Sequence, residues 1–421
     1  MGRMTNADRR FHAFDSLRGI MMLMGVYLHI ACGYTSIQGT WWYMEKNTHW
    51  LFDFSILFLH VFRLPIFFVM AGFFAALLYE RRGWRGLAEN RFKRLVLPLL
   101  LGMATIYPIM NALQRYTRVW SKPEPLQAAI QFLLSGRYWR WVHPMHLWFL
   151  VVLLITIVVF MIGLALWRRL PDDIQRRSNA GFRRAMASTW APALFSVPTL
   201  GTLLMMDYGL LDTPHSFLPQ ARILLAYLVF LAFGWMLYRN LDLLDMLKRR
   251  AWTNLFLGTG VGILNFVLAM KQVQAMPTRQ WPAFLGTAVT GALVVWLMLF
   301  GCAGVFLRYL DRDIRPMRYL SDSSYWVYLF HAPVVFWLQI LVAGLAISPL
   351  VKAVLVLAGS IPILYASYHF LVRPTWVGLL LNGRRYPIGS NPDNLKHRSP
   401  IAVLDQFDRL DAVAEFGRQS R

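Results

Sequence analysis

The stretch WVHPMHLWFLVVLLITIVVFMIGLALW, residues 141–167, gives the clearest indication of the fold class because it contains no Asp, Glu, Lys or Arg. An α-helix needs about 20 predominantly apolar residues to cross the hydrocarbon core of a bilayer. A helix on the surface of a soluble domain instead shows polar residues along one face. The stretch therefore predicts a membrane-spanning helix.

Nine further stretches are similar in length and composition, and two of them contain an internal arginine, Arg63 or Arg222. They cover residues 19–44, 51–79, 95–114, 185–206, 216–238, 251–270, 280–307, 323–351 and 353–372. The chain of 421 residues is 57% hydrophobic and 15% charged, whereas about a quarter of the residues in a soluble protein are charged. These values exclude a soluble enzyme and a disordered scaffold. They predict an all-α, polytopic integral membrane protein with about ten transmembrane helices.

The distribution of basic residues predicts the orientation of these helices. The formal net charge is +22, and an excess of Lys and Arg in a hydrophobic chain is typical of cytoplasmic loops. If the N-terminus is inside, the inner segments hold 32 of the 43 Lys and Arg residues and the outer loops hold 9. We therefore expect both termini in the cytoplasm.

The same stretches indicate the domain organisation. We expect one transmembrane domain over residues 1–380 and a cytoplasmic C-terminal tail over residues 381–421, in which residues 402–416 form either an amphipathic surface helix or a solvated segment. The two cysteines, Cys32 and Cys302, are expected at different depths, which disfavours a disulfide between them. Neither cysteine belongs to a metal-ligand cluster, and neither a metal nor a bound cofactor is expected.

Charged or titratable side chains inside a bilayer are costly, so they are the first candidates for function. Arg18 opens the first predicted helix, and His29 follows eleven residues later, which places it about 16 Å deeper, near the bilayer midplane. Asp15 lies three residues before Arg18 and is expected to pair with it at the start of the helix.

Other polar residues are expected at similar depths. His60 and Arg63 lie three residues apart on one face of the second helix, at about the depth of His29. His331 lies on the ninth helix, about 12 Å from its inner end, and His146 opens the fourth helix at the outer side. Each of these three further histidines can also be a hydrogen-bonding strut between helices, and this alternative stays open.

Arg63 permits a sharper inference about the ligand. No Asp or Glu is expected near its depth, since Asp53 lies most of a helix away. A guanidinium without a carboxylate partner inside the membrane favours an anion from elsewhere. We expect Arg63 to bind an anionic part of the ligand, such as a phosphate or the free carboxylate of a dicarboxylic acyl group. Arg222 lies near a boundary, where a long side chain can reach water.

Several of these residues belong to a wider pattern. The ten residues between Arg18 and His29 give a spacing that resembles the signature in the first helix of acyltransferase family three, a family of membrane acyltransferases. The resemblance continues in order over most of residues 11–380, at FDSLRG (14–19), FRLPIFFVMAGF (62–73), RFKR (91–94), HLWFL (146–150) and SYWVYLFH (324–331). Within the family, the chain most resembles the glucan biosynthesis protein C group, because His60 and Arg63 precede a Phe-Phe-Val run.

The resemblance implies an acyl-CoA-dependent O-acyltransferase. Succinyl-CoA or acetyl-CoA is expected on the cytoplasmic side, as a co-substrate rather than a bound cofactor. The acceptor is expected to be a hydroxyl of a periplasmic or surface glycan, because the glucan biosynthesis protein C group is implicated in placing succinyl groups on osmoregulated periplasmic glucans. The expected location is the inner membrane of a bacterium. No nucleic-acid partner is expected, and the oligomeric state stays open.

The resemblance also implies roles for the candidate residues. His29 is expected to act either as a general base toward the acceptor hydroxyl or as a transient acyl carrier, and Arg18 and Asp15 complete the predicted catalytic set. The predicted substrate-binding residues are Arg63, His60, His331, Tyr325 and His146. The predicted CoA-binding residues are Arg91, Lys93 and Arg94. Their charges fit CoA phosphates, but they fit the ordinary bias of cytoplasmic loops equally well.

A proton-coupled transporter or flippase for a glycan precursor is the main alternative. Ten helices and histidines near the midplane suit such a protein. Against it, the sequence predicts no carboxylate near the midplane and shows neither repeated halves nor paired broken helices. Cleavage of a thioester that depends on an acceptor distinguishes the enzyme from the transporter.

Overall fold

The computed structural model describes residues 10–214, 216–382 and 386. Within these residues the chain forms helices and loops without a β-strand, which confirms the prediction of an all-α protein. The α-helices of this part are α1 His12–Ala31, α2 Trp50–Arg91, α3 Leu97–Arg118, α4 Pro125–Leu134, α5 Trp148–Trp167, α6 Asp172–Ala187, α7 Ala191–Leu203, α8 Ala221–Arg239, α9 Leu244–Arg249, α10 Ala251–Gln274, α11 Trp281–Tyr309, α12 Arg315–Ala343, α13 Pro349–Ser367 and α14 Trp376–Asn382.

Helices occur at all ten predicted transmembrane positions, but they differ in length. In the described part of the chain, seven helical segments are long and apolar enough to cross a membrane, as expected of a multi-pass membrane protein. One of them, Trp50–Arg118, covers two predicted positions: α2 is kinked at Gly83, whose backbone is not helical (φ 65°, ψ −166°), and then continues through a π turn into α3. Two of the ten predicted positions fall outside this measure: those of α1 and of α7, which has only 13 residues. The count of ten and the cytoplasmic termini stay predictions.

Helices α2 and α8 approach each other closely through two glycines. A Cβ atom on Gly72 would lie 2.0 Å from the Leu231 carbonyl oxygen, and one on Gly234 would lie 1.9 Å from the Val69 carbonyl oxygen. Small residues permit this backbone contact, which adds van der Waals attraction where lipid removes the hydrophobic drive for helix association. The contact holds α2, and with it Arg63, at a fixed distance from the neighbouring helices.

Helices α1 and α12 run side by side in the same direction. Arg18 contacts Ser321 near their N-terminal ends, and His29 contacts His331 further along both helices. The intervals are eleven residues on α1 and ten on α12, so the two helices keep their register over about 16 Å. This parallel pair brings Arg18 to Ser321 and His29 to His331.

The predicted C-terminal tail falls largely outside the described residues. Of residues 381–421, the structure describes 381, 382 and 386. The predicted amphipathic helix at 402–416 therefore lies outside the described part of the chain. The domain boundary at residue 380 stays a prediction.

Candidate active site

The N-terminal end of α1 carries a paired group of charged residues. Asp15 accepts hydrogen bonds from Arg10 at 2.9 Å and from Arg18 at 3.2 Å, so the predicted Asp15–Arg18 pair is present. Arg18 also donates to the Ser321 hydroxyl oxygen at 2.5 Å, and that hydroxyl donates to Asp15 at 3.3 Å. This group links α1 to α12, and it lies about 16 Å along the helix from His29.

His29 lies near the C-terminal end of α1, between two other rings. Its ring centroid is 4.7 Å from that of Trp41 and 4.9 Å from that of His331. The His29 side chain is half-buried, and its Nδ1 atom is buried without a hydrogen-bond partner among the described residues. One nitrogen atom of the imidazole is therefore left for a ligand.

His331 is held in one tautomer by the backbone of its own helix. Its Nδ1 atom donates to the Val327 carbonyl oxygen at 3.0 Å and to the Tyr328 carbonyl oxygen at 2.7 Å. Because a carbonyl oxygen only accepts hydrogen bonds, Nδ1 carries the proton of the neutral ring. The Nε2 lone pair is buried and finds no partner in the described chain. His331 therefore offers a proton acceptor beside His29.

A proline in α12 creates the binding site of the His146 ring. Pro333 has no N–H group, so the carbonyl oxygen of Leu329, four residues earlier, lacks its usual helical donor. Nε2 of His146 donates to this oxygen at 3.0 Å. The bond fixes the proton on Nε2 and leaves Nδ1, which is buried with no partner among the residues described, as an acceptor. The ring centroids of His146 and His331 are 5.7 Å apart.

The backbone around His146 is held in an uncommon conformation. Met145 has a φ of +46°, in the left-handed region that costs a bulky residue about 1 kcal/mol or more. The Tyr328 hydroxyl donates to the His146 carbonyl oxygen at 2.9 Å and supports this turn from α12. The strain is retained because both the ring and the backbone of His146 are bound to α12.

Gly25 makes room for the Arg63 guanidinium beside α1. A Cβ atom on Gly25 would lie 2.4 Å from Nη1 of Arg63. Arg63 is 9% exposed, and no hydrogen bond or ion pair among the described residues involves its guanidinium. It interacts electrostatically with His29 and His331. Since Gly25 precedes His29 by four residues, the guanidinium lies about one helical turn, 5.4 Å, from the level of His29.

Arg222, the other arginine of the predicted spans, has its charge paired. It donates to Asp207 at 2.7 Å, lies 3.0 Å from Asp212, and donates to the Met205 carbonyl oxygen at 2.9 Å. The hydrogen bond from Arg222 lowers the pKa of Asp207, in the loop before α8. Arg222 therefore holds the loop before α8, whereas Arg63 has no anionic partner among the described residues.

Four polar side chains with unpartnered atoms thus meet between α1, α2, α12 and the turn before α5. The buried atoms are His29 Nδ1, His331 Nε2, His146 Nδ1 and Arg63 Nε, and we call these residues the histidine–arginine cluster. Most buried polar atoms in proteins have a partner, so several exceptions in one place indicate a binding site for a ligand or water. The histidine nitrogens can accept protons, and the guanidinium can bind an anion.

Two predicted substrate-binding residues lie outside this cluster. Nε2 of His60 donates to the Leu211 carbonyl oxygen at 2.8 Å, so His60 holds the loop between α7 and α8. The Tyr325 hydroxyl donates to the Arg94 carbonyl oxygen and ties α12 to the π turn that follows α2. These contacts are of the strut type that the sequence left open for His60.

The three predicted CoA-binding residues have different surroundings. Lys93 forms an ion pair with Glu89 at 2.5 Å, and Arg94 donates to the Leu381 carbonyl oxygen at 2.8 Å. Arg91 lines an apolar groove of about 720 Å³ between the end of α2 and α5, and its Nε atom is buried without a partner among the described residues. Of the three, Arg91 is the best placed to bind an added anion.

Four further residues lie around the cluster and were not among the predicted site residues: Trp41, Gln339, Tyr227 and Tyr328. Trp41 donates from its indole to Gln339 at 2.7 Å, and Tyr227 interacts electrostatically with Arg63. Aromatic residues are common in membrane helices, so the two tyrosines and Trp41 gave no separate signal. Gln339 could have been found, because an amide inside a predicted span needs hydrogen-bond partners.

The apolar helices and the buried polar cluster define a multi-pass membrane protein with an internal polar site, as membrane acyltransferases require. The family model of the acyltransferase domain matches residues 11–369, and the chain belongs to this family, acyltransferase family three. This match confirms the resemblance and includes every residue of the histidine–arginine cluster.

Within this family, the chain is similar to several named bacterial proteins. The chain is similar to Glucans biosynthesis protein C of Salmonella paratyphi A and of Salmonella agona, with 24% identity over 332 residues in each case, 77% of this chain and 82% of the relative. It is also similar to Glucans biosynthesis protein C of Salmonella typhimurium, with 23% identity over 330 residues and the same coverage. No solved structure matches the chain.

Proposed function

We propose that this membrane acyltransferase moves a succinyl or acetyl group from cytoplasmic acyl-CoA to a hydroxyl of a periplasmic or surface glycan. Osmoregulated periplasmic glucans are the first candidate acceptors, because the relatives are named Glucans biosynthesis protein C. The bacterial inner membrane is the location that this reaction requires, since it separates a cytoplasmic donor from a periplasmic acceptor.

One observation carries the proposal: the unpartnered polar atoms of the histidine–arginine cluster lie together inside the helical body. A structural cluster would satisfy its own hydrogen bonds, as the Asp15 group does at the other end of α1. A reaction site needs proton acceptors and an anion-binding group that are left for the substrate.

The proposed chemistry uses His29 as a general base. A neutral imidazole nitrogen takes the proton of the acceptor hydroxyl while the hydroxyl oxygen attacks the carbonyl carbon of the thioester. The C–S bond then breaks, the thiolate of CoA takes the proton from the imidazolium, and an ester and free CoA result. General-base catalysis of this kind contributes roughly 10²–10⁴-fold to a rate. His331, with its unprotonated Nε2, stabilises the positive charge that His29 carries between the two proton transfers.

A covalent route uses the same residues. The His29 nitrogen attacks the thioester first, CoA leaves, and the acyl group then passes from the imidazole to the hydroxyl. This order suits two substrates that arrive from opposite sides of the membrane. An acyl group that stays on the protein after rapid denaturation, and that is absent from His29→Ala, distinguishes this route from direct transfer.

Arg63 is proposed to select the acyl group. Its guanidinium lies about one helical turn from the level of His29, a separation that a four-carbon dicarboxylic acyl group can bridge. The acyl carbonyl then lies at His29 while the free carboxylate binds Arg63. Succinyl is therefore the favoured acyl group and acetyl the second.

The donor is proposed to enter at the end of α1 that carries Asp15. Arg91 is the proposed contact for a CoA phosphate, with Lys93 and Arg94 beside it in sequence. The paired Arg18 and Asp15 are proposed to hold α1 against α12 at this entrance, and so to position His29 rather than react.

Mass spectrometry of periplasmic and surface glycans tests the proposed function. Cells with the gene should carry a glycan whose mass exceeds that from deletion cells by one or more succinyl groups. Complementation with His29→Ala should leave that increment missing although the protein is inserted in the membrane. Identical glycans in deletion and wild-type cells would overturn the proposal, and glycan movement into vesicles without CoA release would favour the transporter.

A further inference from the structure

The loop between α1 and α2, residues 32–49, folds over the C-terminal end of α1 and is fastened on both sides. Near its start, Asp53 of α2 accepts hydrogen bonds from the Ser36 N–H at 2.7 Å and the Ser36 hydroxyl at 2.9 Å. Further along, the Glu45 N–H donates to the Gly33 carbonyl oxygen at 2.8 Å. The Glu45 carboxylate forms an ion pair with Lys352 of α13 at 2.6 Å. We call residues 32–49 the α1–α2 loop.

The ion pair between Glu45 and Lys352 is well shielded. Lys352 is 4% exposed, and it donates a second hydrogen bond to the Ala343 carbonyl oxygen at 2.9 Å. Burial alone raises the pKa of Glu45, but the hydrogen bonds from Lys352 and Tyr43 outweigh it, so this pKa lies below its ordinary value. The carboxylate is charged at neutral pH, and the loop stays fastened.

The two fastenings hold Trp41 against the ring of His29. The centroids of these rings are 4.7 Å apart, and Trp42 packs against Trp41 in a tilted arrangement with a centroid distance of 4.4 Å. The indole N–H donates to the Gln339 side-chain oxygen at 2.7 Å, and the Gln339 amide donates to the Ile30 carbonyl oxygen at 3.1 Å. Trp41 thus covers His29 on the side where the α1–α2 loop lies.

The fastenings of the loop do not involve the Trp41 side chain itself. Among the described residues, the Gln339 oxygen is the acceptor for its indole, and the aromatic rings next to the indole are those of His29, Trp42 and Phe336. The indole can therefore swing aside while the loop remains bound to Asp53 and Lys352. Such a movement would open His29 to the loop side without unfolding the loop.

We propose that Trp41 is the gate between His29 and the compartment on the loop side, and that the acceptor hydroxyl reaches His29 only when this indole is displaced. The inference deepens the proposed function on which it rests, because it assigns a residue to the control of acceptor entry. A thioester at His29 reacts with water as well as with a sugar hydroxyl, so the closed gate protects the acyl group until the acceptor arrives. Under the predicted orientation, the loop side is the periplasm.

Cysteine labelling tests the gate independently of any acyl transfer. The parent carries His29→Cys with Cys32→Ala and Cys302→Ala, which removes both native thiols. Spheroplasts and inverted vesicles are treated with a charged maleimide that does not cross membranes. Lys46→Cys, an exposed position in the same loop, identifies the loop side by its labelling.

We expect the parent to be labelled slowly from the loop side, and the added Trp41→Ala to raise that rate at least tenfold. Trp50→Ala, which removes an exposed indole at the start of α2, should leave the rate unchanged. Gln339→Met, which removes the acceptor of the indole N–H at similar volume, should raise the rate by a smaller factor. Labelling after denaturation confirms that each thiol is present and free.

Equal rates with Trp41 present and replaced would overturn the gate, whether both are fast or both slow. A second readout uses the protein with His29 intact. Trp41→Ala should raise acceptor-independent hydrolysis of succinyl-CoA at least fivefold relative to transfer. A wild type that never cleaves the thioester contradicts the proposed function, while the labelling result still decides the gate.

Discussion

Polar side chains lie near both ends of α1, but those at one end are hydrogen-bonded to each other and those at the other end are not. At the N-terminal end, Asp15 binds Arg10, Arg18 and Ser321 within one connected group. At the C-terminal end, His29, His331 and His146 each keep one ring nitrogen that has no partner within the described residues. Polar residues of the first kind hold helices together, whereas those of the second kind are left for a substrate.

The same contrast separates the two arginines of the predicted spans, Arg63 and Arg222. Arg222 is paired with Asp207 and Asp212, while the Arg63 guanidinium finds no acceptor in the described chain. Removal of a paired residue should therefore mainly lower the free energy of unfolding. Removal of a residue from the histidine–arginine cluster should mainly lower the rate of acyl transfer. The predictions below test this division.

The largest effect is expected for His29→Ala. Loss of the general base should reduce acyl transfer by roughly 10²–10⁴-fold, measured as CoA release from succinyl-CoA in the presence of glycan. The melting temperature in detergent should change little, since the His29 ring makes no hydrogen bond to a described residue. His143→Ala, in the loop just before the turn that precedes α5, is the matched control and should retain transfer. A wild-type rate of transfer in His29→Ala would show that His29 is not the general base.

The next largest effect is expected for Arg63→Gln. A hydrogen bond to a charged group contributes about 1.5–3 kcal/mol, so succinyl transfer should fall about ten- to hundredfold while acetyl transfer falls less. Arg222→Gln is the matched control and should lower the melting temperature without changing the ratio of succinyl to acetyl transfer. Equal losses of both acyl groups in Arg63→Gln would reject the proposed carboxylate contact.

Gly25 offers a second route to the same comparison without touching the guanidinium. In Gly25→Ala the new Cβ would overlap Nη1 of Arg63, so the arginine must shift. The preference for succinyl over acetyl should therefore fall in the same direction as in Arg63→Gln. Gly163→Ala, which has open space around the added Cβ, should leave the preference unchanged.

A moderate effect on stability is expected for Asp15→Asn. The substitution weakens two ion pairs that are partly shielded, with 16% of the Asp15 side chain exposed. We expect a loss of about 1–2 kcal/mol in the free energy of unfolding, measured by thermal or denaturant unfolding. The kcat of the folded protein should change less than it does in His29→Ala. Asp173→Asn removes a carboxylate from the exposed pair with Arg177 and should change neither quantity. A specific loss of kcat at unchanged stability in Asp15→Asn would place Asp15 in the chemistry.

The smallest effect on transfer is expected for Pro333→Ala. The restored N–H group at residue 333 can bond to the Leu329 carbonyl oxygen and compete with His146. Transfer should fall a few-fold while the melting temperature stays level or rises. Pro362→Ala makes the same change inside α13, away from the cluster, and should not reduce transfer. Unchanged transfer in Pro333→Ala would show that the orientation of His146 is unimportant.

The fold class was predictable because lipid leaves the backbone few choices. Charge-free stretches of the length of residues 141–167 must be helical in a bilayer, since every N–H and C=O group needs an internal partner. The number of spans was harder to predict, because apolar stretches do not show where one helix continues into the next. Trp50–Arg118 is such a case, in which α2 is kinked at Gly83 and a π turn then joins it to α3.

The candidate site was predictable where depth could be calculated and unpredictable where loops decide it. Helix rise placed His29 and Arg63 at similar depths, and the two residues interact in the structure. The same calculation could not show that His60 binds the Leu211 carbonyl oxygen, because that oxygen belongs to a loop. The contact between Trp41 and His29 could not be predicted for the same reason, because it depends on how the α1–α2 loop folds back.

Acceptor-dependent release of CoA by the purified protein tests the central claim most directly. The wild type is reconstituted into liposomes, with succinyl-CoA at the face that carries Asp15 and a periplasmic glucan at the other. We predict that CoA appears in step with succinylated glucan, and that little is released when the glucan is left out. No ester on the glucan, or glucan transport without CoA release, would contradict the claim that the histidine–arginine cluster transfers acyl groups.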